Sequence, residues 1–284
     1  MCCDGAVTTN SAPAPDPLAL QAVAVHVATT AASLVARRRA EVLGDHGGSV
    51  RTKSSDTDPV TLADTESEQL IRAELMRLRP LDSILGEEEG GSATAHGLRW
   101  VIDPIDGTVN FLYGLPFYAV SVAVQLEGRT LAGAVVEVVS GRVFAAALGC
   151  GATLDGERLR CNSVQQARLA LVATGFGYQA DRRRSQGVVL ASLLPKVRDV
   201  RRVGSAALDL CAVAAGWVDA FYEHGLSPWD WAAGSLIAAE AGATVRLPPA
   251  MAMGTAGELT FAAGPGVATE LLTLIETAWS GPMP

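Results

Sequence analysis

The chain has 284 residues, 49% of them hydrophobic, enough to bury a large core in one or two units. Thirty acidic against 22 basic side chains leave a formal charge of −8, the wrong sign for a surface that wraps nucleic acid. Five cysteines without a C-x-x-C pair argue against a disulfide framework or zinc site, and neither a leader nor about twenty uninterrupted apolar residues appears, so a cytoplasmic protein with reduced thiols and no membrane contact is expected.

Residues 1–17 are rich in Ala, Thr, Ser and Pro and read as a disordered tail. Leu18 to Leu43 follows as a long Ala/Val-rich helix, with three arginines near its end and Gly44 beyond. Asp45 to Ser55 is a polar loop in which His46 has no clustered partner. Asp58-Pro59-Val60-Thr61 then leads into a second helix, Leu62 to Arg79, which is stopped by Pro80. Thr61 and Asp64 have the spacing of a capping pair. A short strand, Ser83 to Leu85, precedes Gly86-Glu87-Glu88-Glu89. A run of glutamates ordinarily faces water, but Glu87 stands directly after a strand and a glycine.

The most informative stretch is Leu98 to Pro116, LRWVIDPIDGTVNFLYGLP. Trp100 to Ile102 is strand-like and stops at Asp103, which Pro104 holds extended while interrupting the ladder. Asp106, Gly107, Thr108 and Asn110 come next. Asp-Pro and Asp-Gly are ordinary turn dipeptides. Two carboxylates at a strand mouth also form an acid-lined turn suited to a hard cation. The Gly107 and Thr108 amides, if they open a helix, present its positive end to a phosphate.

Strands are expected at Tyr118 to Leu126, Thr130 to Val139 and Val143 to Leu148, joined by turns at Glu127-Gly128 and Ser140-Gly141. Asp155-Gly156 marks another turn. The second half alternates: a strand at Leu169 to Ala173, a helix at Gly187 to Val197 and a strand at Arg198 to Val203. Gly204-Ser205-Ala206-Ala207 opens a helix through Val213, and Ala220 to Tyr222 is a strand ending in Glu223. A helix at Trp229 to Ala241, strands at Thr244 to Arg246 and Leu259 to Ala263, and a helix at Val267 to Trp279 complete the chain. An antiparallel meander mixed with βα units places the fold in the α/β (α+β) class. Arg182 to Arg184 read as a solvated basic face.

Six acids fall at strand ends or helix starts: Asp64, Glu87, Asp103, Asp106, Glu223 and Asp230. Carboxylates gathered in one cleft repel one another by kilocalories unless divalent cations neutralise them. Rival chemistries are weak. The four histidines form no H-x-x-x-H, Ser205 has no obvious base, and neither a P-loop nor a G-x-G-x-x-G after a strand is present.

D-P-I-D-G-T-V-N-F after a strand resembles the signature of the inositol monophosphatase family of magnesium-dependent phosphatases. Gly86-Glu87-Glu88 is similar to that family's G-E-E. Trp229-Asp230 with Ala232 or Ala233 is similar to its W-D-x-A, and Asp58-Pro59-Val60-Thr61 through Asp64 to its D-x-V-T-x-x-D. Lys53-Ser54-Ser55 resembles its mobile loop over the metals. The resemblance implies a layered α-β-α-β-α sandwich in a single domain over 18–284, with a metal-motif half at 18–165 and a C-terminal half at 166–284.

It also implies roles. Glu87, Asp103 and the Ile105 carbonyl would hold a first Mg²⁺; Asp103, Asp106 and Asp230 a second; Asp64 and Glu87 a third through waters. A water activated by Mg²⁺ and oriented by Thr108 with Asp64 would attack phosphorus in line. Gly107 and Thr108 amides would hold the phosphate, and Glu223 with the Gly204, Ser205, Ala206 turn would grip substrate hydroxyls; Glu223 reads equally as a rim acid. Tyr222-Glu223-His224-Gly225 resembles the inositol branch, so inositol-1-phosphate is the expected substrate and histidinol phosphate the alternative. The resemblance further implies lithium sensitivity and a homodimer, with an interface around Val135 to Val139. Some bacterial relatives bind the transcription or ribosome-maturation machinery, an alternative in which catalysis is secondary.

Overall fold

The computed structural model describes residues 15–44, 50–52, 59–91 and 97–284. His46, the Lys53-Ser54-Ser55 loop, Asp58 and all but the last residues of the expected tail lie outside the described residues.

Helix α1 (Pro17–Gly44) opens the fold. Over Pro17–Glu41 it is long and apolar enough to cross a membrane by length and composition. Here one stripe of it, Leu20, Ala24, Val27, Ala28, Ala31 and Val35, is buried within the molecule's apolar core. The small residues let the helix lie close to the sheet. Strands β1 (Val50–Thr52) and β2 (Pro59–Thr61) pair antiparallel and lead into α2 (Leu62–Leu78), whose inward face carries Ala63, Asp64, Ser67, Glu68, Ile71 and Leu75.

The central sheet has seven strands in chain order: β3 (Ser83–Gly86), β4 (Leu98–Asp106), β5 (Ala119–Leu126), β6 (Arg129–Glu137), β7 (Val143–Ala147), β8 (Gly151–Leu154) and β9 (Glu157–Arg158). Only β3 and β4 run parallel; the rest is the expected meander. Alternating small and β-branched residues let both faces be covered. Between β4 and β5 hides the one irregularity that matters. Asp103 pairs with Ser121, but Asp106 pairs with Ala119, so two β4 residues, Pro104 and Ile105, oppose one on β5. Proline lacks the N–H that a ladder needs, and the resulting bulge aims both aspartates at the strand mouth.

After β4 come α3 (Thr108–Tyr113) and, past the meander, β10 (Leu171–Thr174), α4 (Ala180–Leu193), β11 (Asp199–Arg201), α5 (Ala206–Ala214), β12 (Ala220–His224), α6 (Pro228–Glu240), β13 (Thr244–Arg246), β14 (Leu259–Ala263) and α7 (Ala268–Ala278). The second sheet has the order β11-β10-β12-β14-β13, with β10 parallel to both its neighbours. Helices α5 and α6 are packed between the sheets, in one core with Val101, Ala123 and Val135 of the first and Ala173, Phe221 and Ala262 of the second. Helices α4 and α7 cover the outer face of the second sheet. The result is the expected α-β-α-β-α layering.

Two expectations change. Helix α4 begins at Ala180 rather than Gly187, because its buried stripe mixes Arg182, Ser185 and Gln186 with Val189 and Leu193, and polar residues conceal a helical period. Arg182 is therefore buried, whereas Arg183 and Arg184 face solvent as read. Val135, Val136 and Val138 are buried inside a single chain and leave only Val139 exposed, so that stretch is not the interface surface anticipated for it.

Candidate active site

The carboxyl ends of β3 and β4, the start of α3, the start of α5, the end of β12 and the start of α6 converge on one cleft of about 350 Å³. Asp103, Asp106 and Asp230 each offer an oxygen there, all within 4.8 Å of one another. Each is held by backbone. Asp103 Oδ1 accepts the Ile105 N–H at 3.0 Å, closing the bulge on itself. Asp106 Oδ2 accepts from Ser205 Oγ at 2.6 Å and from the Ala207 N–H at 2.7 Å, so the positive end of α5 faces it. Asp230 Oδ2 accepts the Ser227 N–H at 2.6 Å across the first turn of α6. It is thus both the cap its position suggests and a member of the cluster.

Electrostatics show what this crowding costs a site with no cation. Burial pushes Asp106 up to about 6, against the hydrogen bonds from Ser205 and Ala207, with Glu87's charge adding to the rise. Asp230 is raised well above the carboxylate range by burial, then by Asp106 and Glu87. Three close carboxylate oxygens, with the Glu87 side chain and Ile105 beside them in the cleft, are an all-oxygen donor set of the kind Mg²⁺ takes. The residues fit a hard divalent cation.

Thr108 and Asp64 form the second unit. Thr108 Oγ1 lies 3.0 Å from Asp64 Oδ1 and 3.0 Å from the Ile105 carbonyl. Asp64 is fully buried, and its other oxygen accepts from the Thr61 N–H at 2.8 Å and from the Thr61 hydroxyl. The capping pair read from the sequence is present, and one oxygen remains for Thr108. Gly107 precedes α3 at φ +94°, and a Cβ there would stand 2.9 Å from the Phe117 carbonyl, so only glycine permits this turn. Asn110 donates to the carbonyls of Phe117 (2.6 Å) and Val203 (3.0 Å), tying α3 to the approach of α5.

Gly204, Ser205, Ala206 and Glu223 all line the same cleft. The Ser205 hydroxyl is committed to Asp106 and also caps α5 through Leu208 N–H, so it supports a carboxylate rather than facing outward. Burial pushes Glu223 up to about 8, with Arg202 and Arg182 opposing and Asp106 reinforcing. A Cβ on Gly175 would overlap the Glu223 carboxylate, so glycine there makes room for it.

Sequence reasoning missed three residues. Glu68, fully buried on α2, accepts from the Glu88 N–H (2.8 Å) and the Glu89 N–H (3.0 Å) and is paired with Arg72. It grips the turn that presents Glu87, and its signal was an acid on the inward face of α2, four residues after Asp64. Asp209 lines the cleft from α5, raised well above the usual range by burial and by the charges of Glu223 and Asp106. Arg182 lines it from α4. Glu89 is exposed and Glu88 half-buried, close to the reading of both as surface acids.

The inositol monophosphatase family model matches residues 16–279. An inositol-1-monophosphatase of Mycobacterium leprae is 55% identical over 276 residues, 92% of this chain and 94% of that protein. A Nus factor SuhB of Pseudomonas aeruginosa is 41% identical over 231 residues, 78% of this chain and 83% of that one. Among solved structures, Mycobacterium tuberculosis SuhB superposes with a TM-score of 0.81 at 49% identity, covering 94% of this chain and 99% of that chain.

Proposed function

The chain belongs to the inositol monophosphatase family, and from that premise we propose that it hydrolyses inositol-1-phosphate to inositol and phosphate with Mg²⁺ as cofactor. The observation that carries the reading is the trio Asp103, Asp106 and Asp230, with oxygens within 4.8 Å, beside a threonine already bonded to a buried aspartate.

In this reading Glu87, Asp103, the Ile105 carbonyl, Asp106, Asp230 and, through water, Asp64 would hold two to three Mg²⁺. Bound Mg²⁺ supplies charge neutralisation for the phosphoryl and leaving oxygens and a water acidic enough to lose its proton near neutral pH. The protein's own groups do the rest. The Thr108 hydroxyl donates a hydrogen bond to Asp64, which leaves its lone pair to accept from the attacking water, aim it at phosphorus and relay the water's proton to the Asp64 carboxylate. The Gly107 and Thr108 amides hold the phosphate, and Glu223 with the Gly204 to Ala206 turn receives the hydroxyls of the leaving group. Glu223, held largely protonated by its burial, can donate as well as accept, which suits a ring of hydroxyls.

Family membership also supports a homodimer acting in the cytoplasm as a single unit over 18–284, with lithium competing at a magnesium position. A second reading, an added binding role in transcription, draws on the Nus factor relative; the complete carboxylate set favours retained chemistry.

The test is phosphate release from inositol-1-phosphate, histidinol phosphate and fructose-1,6-bisphosphate under Mg²⁺ titration, for wild type and Asp103→Asn. A Mg²⁺-dependent rate on the inositol ester that the variant loses is the expected result. Better turnover of histidinol phosphate would move the substrate, and no metal-dependent turnover of any ester would sink the enzyme reading.

A further inference from the structure

Arg182 of α4 reaches into the wall of the cleft away from the aspartates. Its Nε donates to the main-chain oxygen of Pro284 at 2.7 Å, Nη1 to the Gly254 carbonyl at 2.7 Å and Nη2 to the Thr255 carbonyl at 3.3 Å. Gly254 and Thr255 themselves line the cleft, as do Gly177 and Gly225, between which the arginine passes. A Cβ on Gly177 would stand 3.0 Å from its Cδ, and one on Gly225 would overlap Nη1. Gly254 is further bound to the Ser227 hydroxyl at 3.0 Å, and Gly225 to the Glu258 carbonyl at 2.9 Å. The guanidinium thus holds loop 254–255 and fills the space beside Gly225, while Gln186 of the same helix ties Gly177 and His224.

A staple alone does not call for a cation. Arg182 is only 8% exposed, its two acceptors in the cleft wall, Gly254 and Thr255, are neutral carbonyls, and desolvation weighs against its charge. What its charge does reach is Glu223, across the same cleft. A planar fork spans three main-chain oxygens in two segments, 254–255 and Pro284, which no lysine can.

We propose that Arg182 is a positioning residue for the leaving group, setting the shape and charge of the wall on which an uncharged, polyhydroxylated alcohol docks, and that it takes no part in phosphoryl transfer. The choice of ester rests on the function proposed above. The experiment is steady-state kinetics of Arg182→Gln and Arg182→Lys at saturating Mg²⁺. Inositol-1-phosphate is compared with p-nitrophenyl phosphate, whose leaving group has no hydroxyls to place.

The expected result is a KM for the inositol ester raised about tenfold in both variants, with kcat and the KM for p-nitrophenyl phosphate changed less than about twofold. Equal effects on both esters, or an unchanged KM for the inositol ester, overturn the proposal, as does full rescue by lysine. Should both variants fail to fold, Gly177→Ala, whose Cβ would stand 3.0 Å from Arg182 Cδ, shifts the side chain while keeping the arginine, and the same split is expected; its absence counts against the proposal. Wild type that hydrolyses p-nitrophenyl phosphate but not the inositol ester defeats the function reading. Arg182 is then judged by the same split on glycerol 2-phosphate, a smaller hydroxyl-bearing ester.

Discussion

A carboxylate has two oxygens, and Asp64 divides them between local structure and chemistry. One closes the first turn of α2 with Thr61, and the other faces the Thr108 hydroxyl at 3.0 Å. Thr108→Ala removes the group that aims the water, so kcat is expected to fall about 10²- to 10³-fold with KM nearly unchanged, while Thr108→Ser keeps the hydroxyl and most of the rate. Ser205 acts one bond further out, since its 2.6 Å hydrogen bond orients Asp106. Ser205→Ala is expected to raise the Mg²⁺ concentration for half-maximal activity about tenfold or more, as loss of a ligand's supporting hydrogen bond does elsewhere. Recovery of wild-type kcat at saturating Mg²⁺ checks that the chemistry itself is intact. An unchanged Mg²⁺ titration would remove Ser205 from the metal reading.

At the scale of elements, the site depends on how α2 and the β3 turn are locked together. Gly86 has no room for a side chain because the Glu68 carboxylate fills that space, and that carboxylate takes two successive backbone N–H groups of the turn. Glu68→Ala leaves those two N–H donors without their acceptor and leaves Arg72 only Glu89 and the Gly90 carbonyl, which costs about 2 to 3 kcal/mol of stability. Urea unfolding measures it. The same variant is expected to need more Mg²⁺, because Glu87 is carried by that turn; an unchanged midpoint and unchanged titration would show the clamp to be idle.

Over the whole molecule, the buried acids Glu223 and Asp230 make stability a function of cation and pH. Glu223, pushed up to about 8, and Asp230, raised well above its ordinary value, keep protons in the folded state that the unfolded chain has already released. Their contribution is therefore present at low pH and is lost as pH rises through the folded-state values. His224 runs the other way. Burial pushes it down to about 4, and its effect is complete by about pH 6.5. Between pH 6.5 and 8 the chelator-treated protein should accordingly lose roughly 5 °C of melting temperature, read by calorimetry. Saturating Mg²⁺ should remove Asp230's share of that slope, since the ion binds its ionised carboxylate in the folded state, and leave Glu223's in place. A flat profile without metal would contradict the buried charges described here.

The local signals were strong wherever a residue acts through its neighbours in the chain. Asp103-Pro104 announces an interrupted strand, Asp106-Gly107-Thr108 a turn that only glycine can make, and Thr61 with Asp64 a cap; all three stand in the structure at those positions. Strands β13 and β14 fall at their expected residues for the same reason, short β-rich runs bounded by turns. Function was legible because the acids that share a cleft occupy strand ends and helix starts, places that composition and periodicity mark. What only tertiary structure decided is where distant segments meet. Ser205 reaches Asp106 across 99 positions of sequence, and Arg182 reaches Gly254 across 72. A polar residue on a buried helix face looks like a solvated one until its partner is known. Its partner is set by the packing of layers, and no local pattern encodes that.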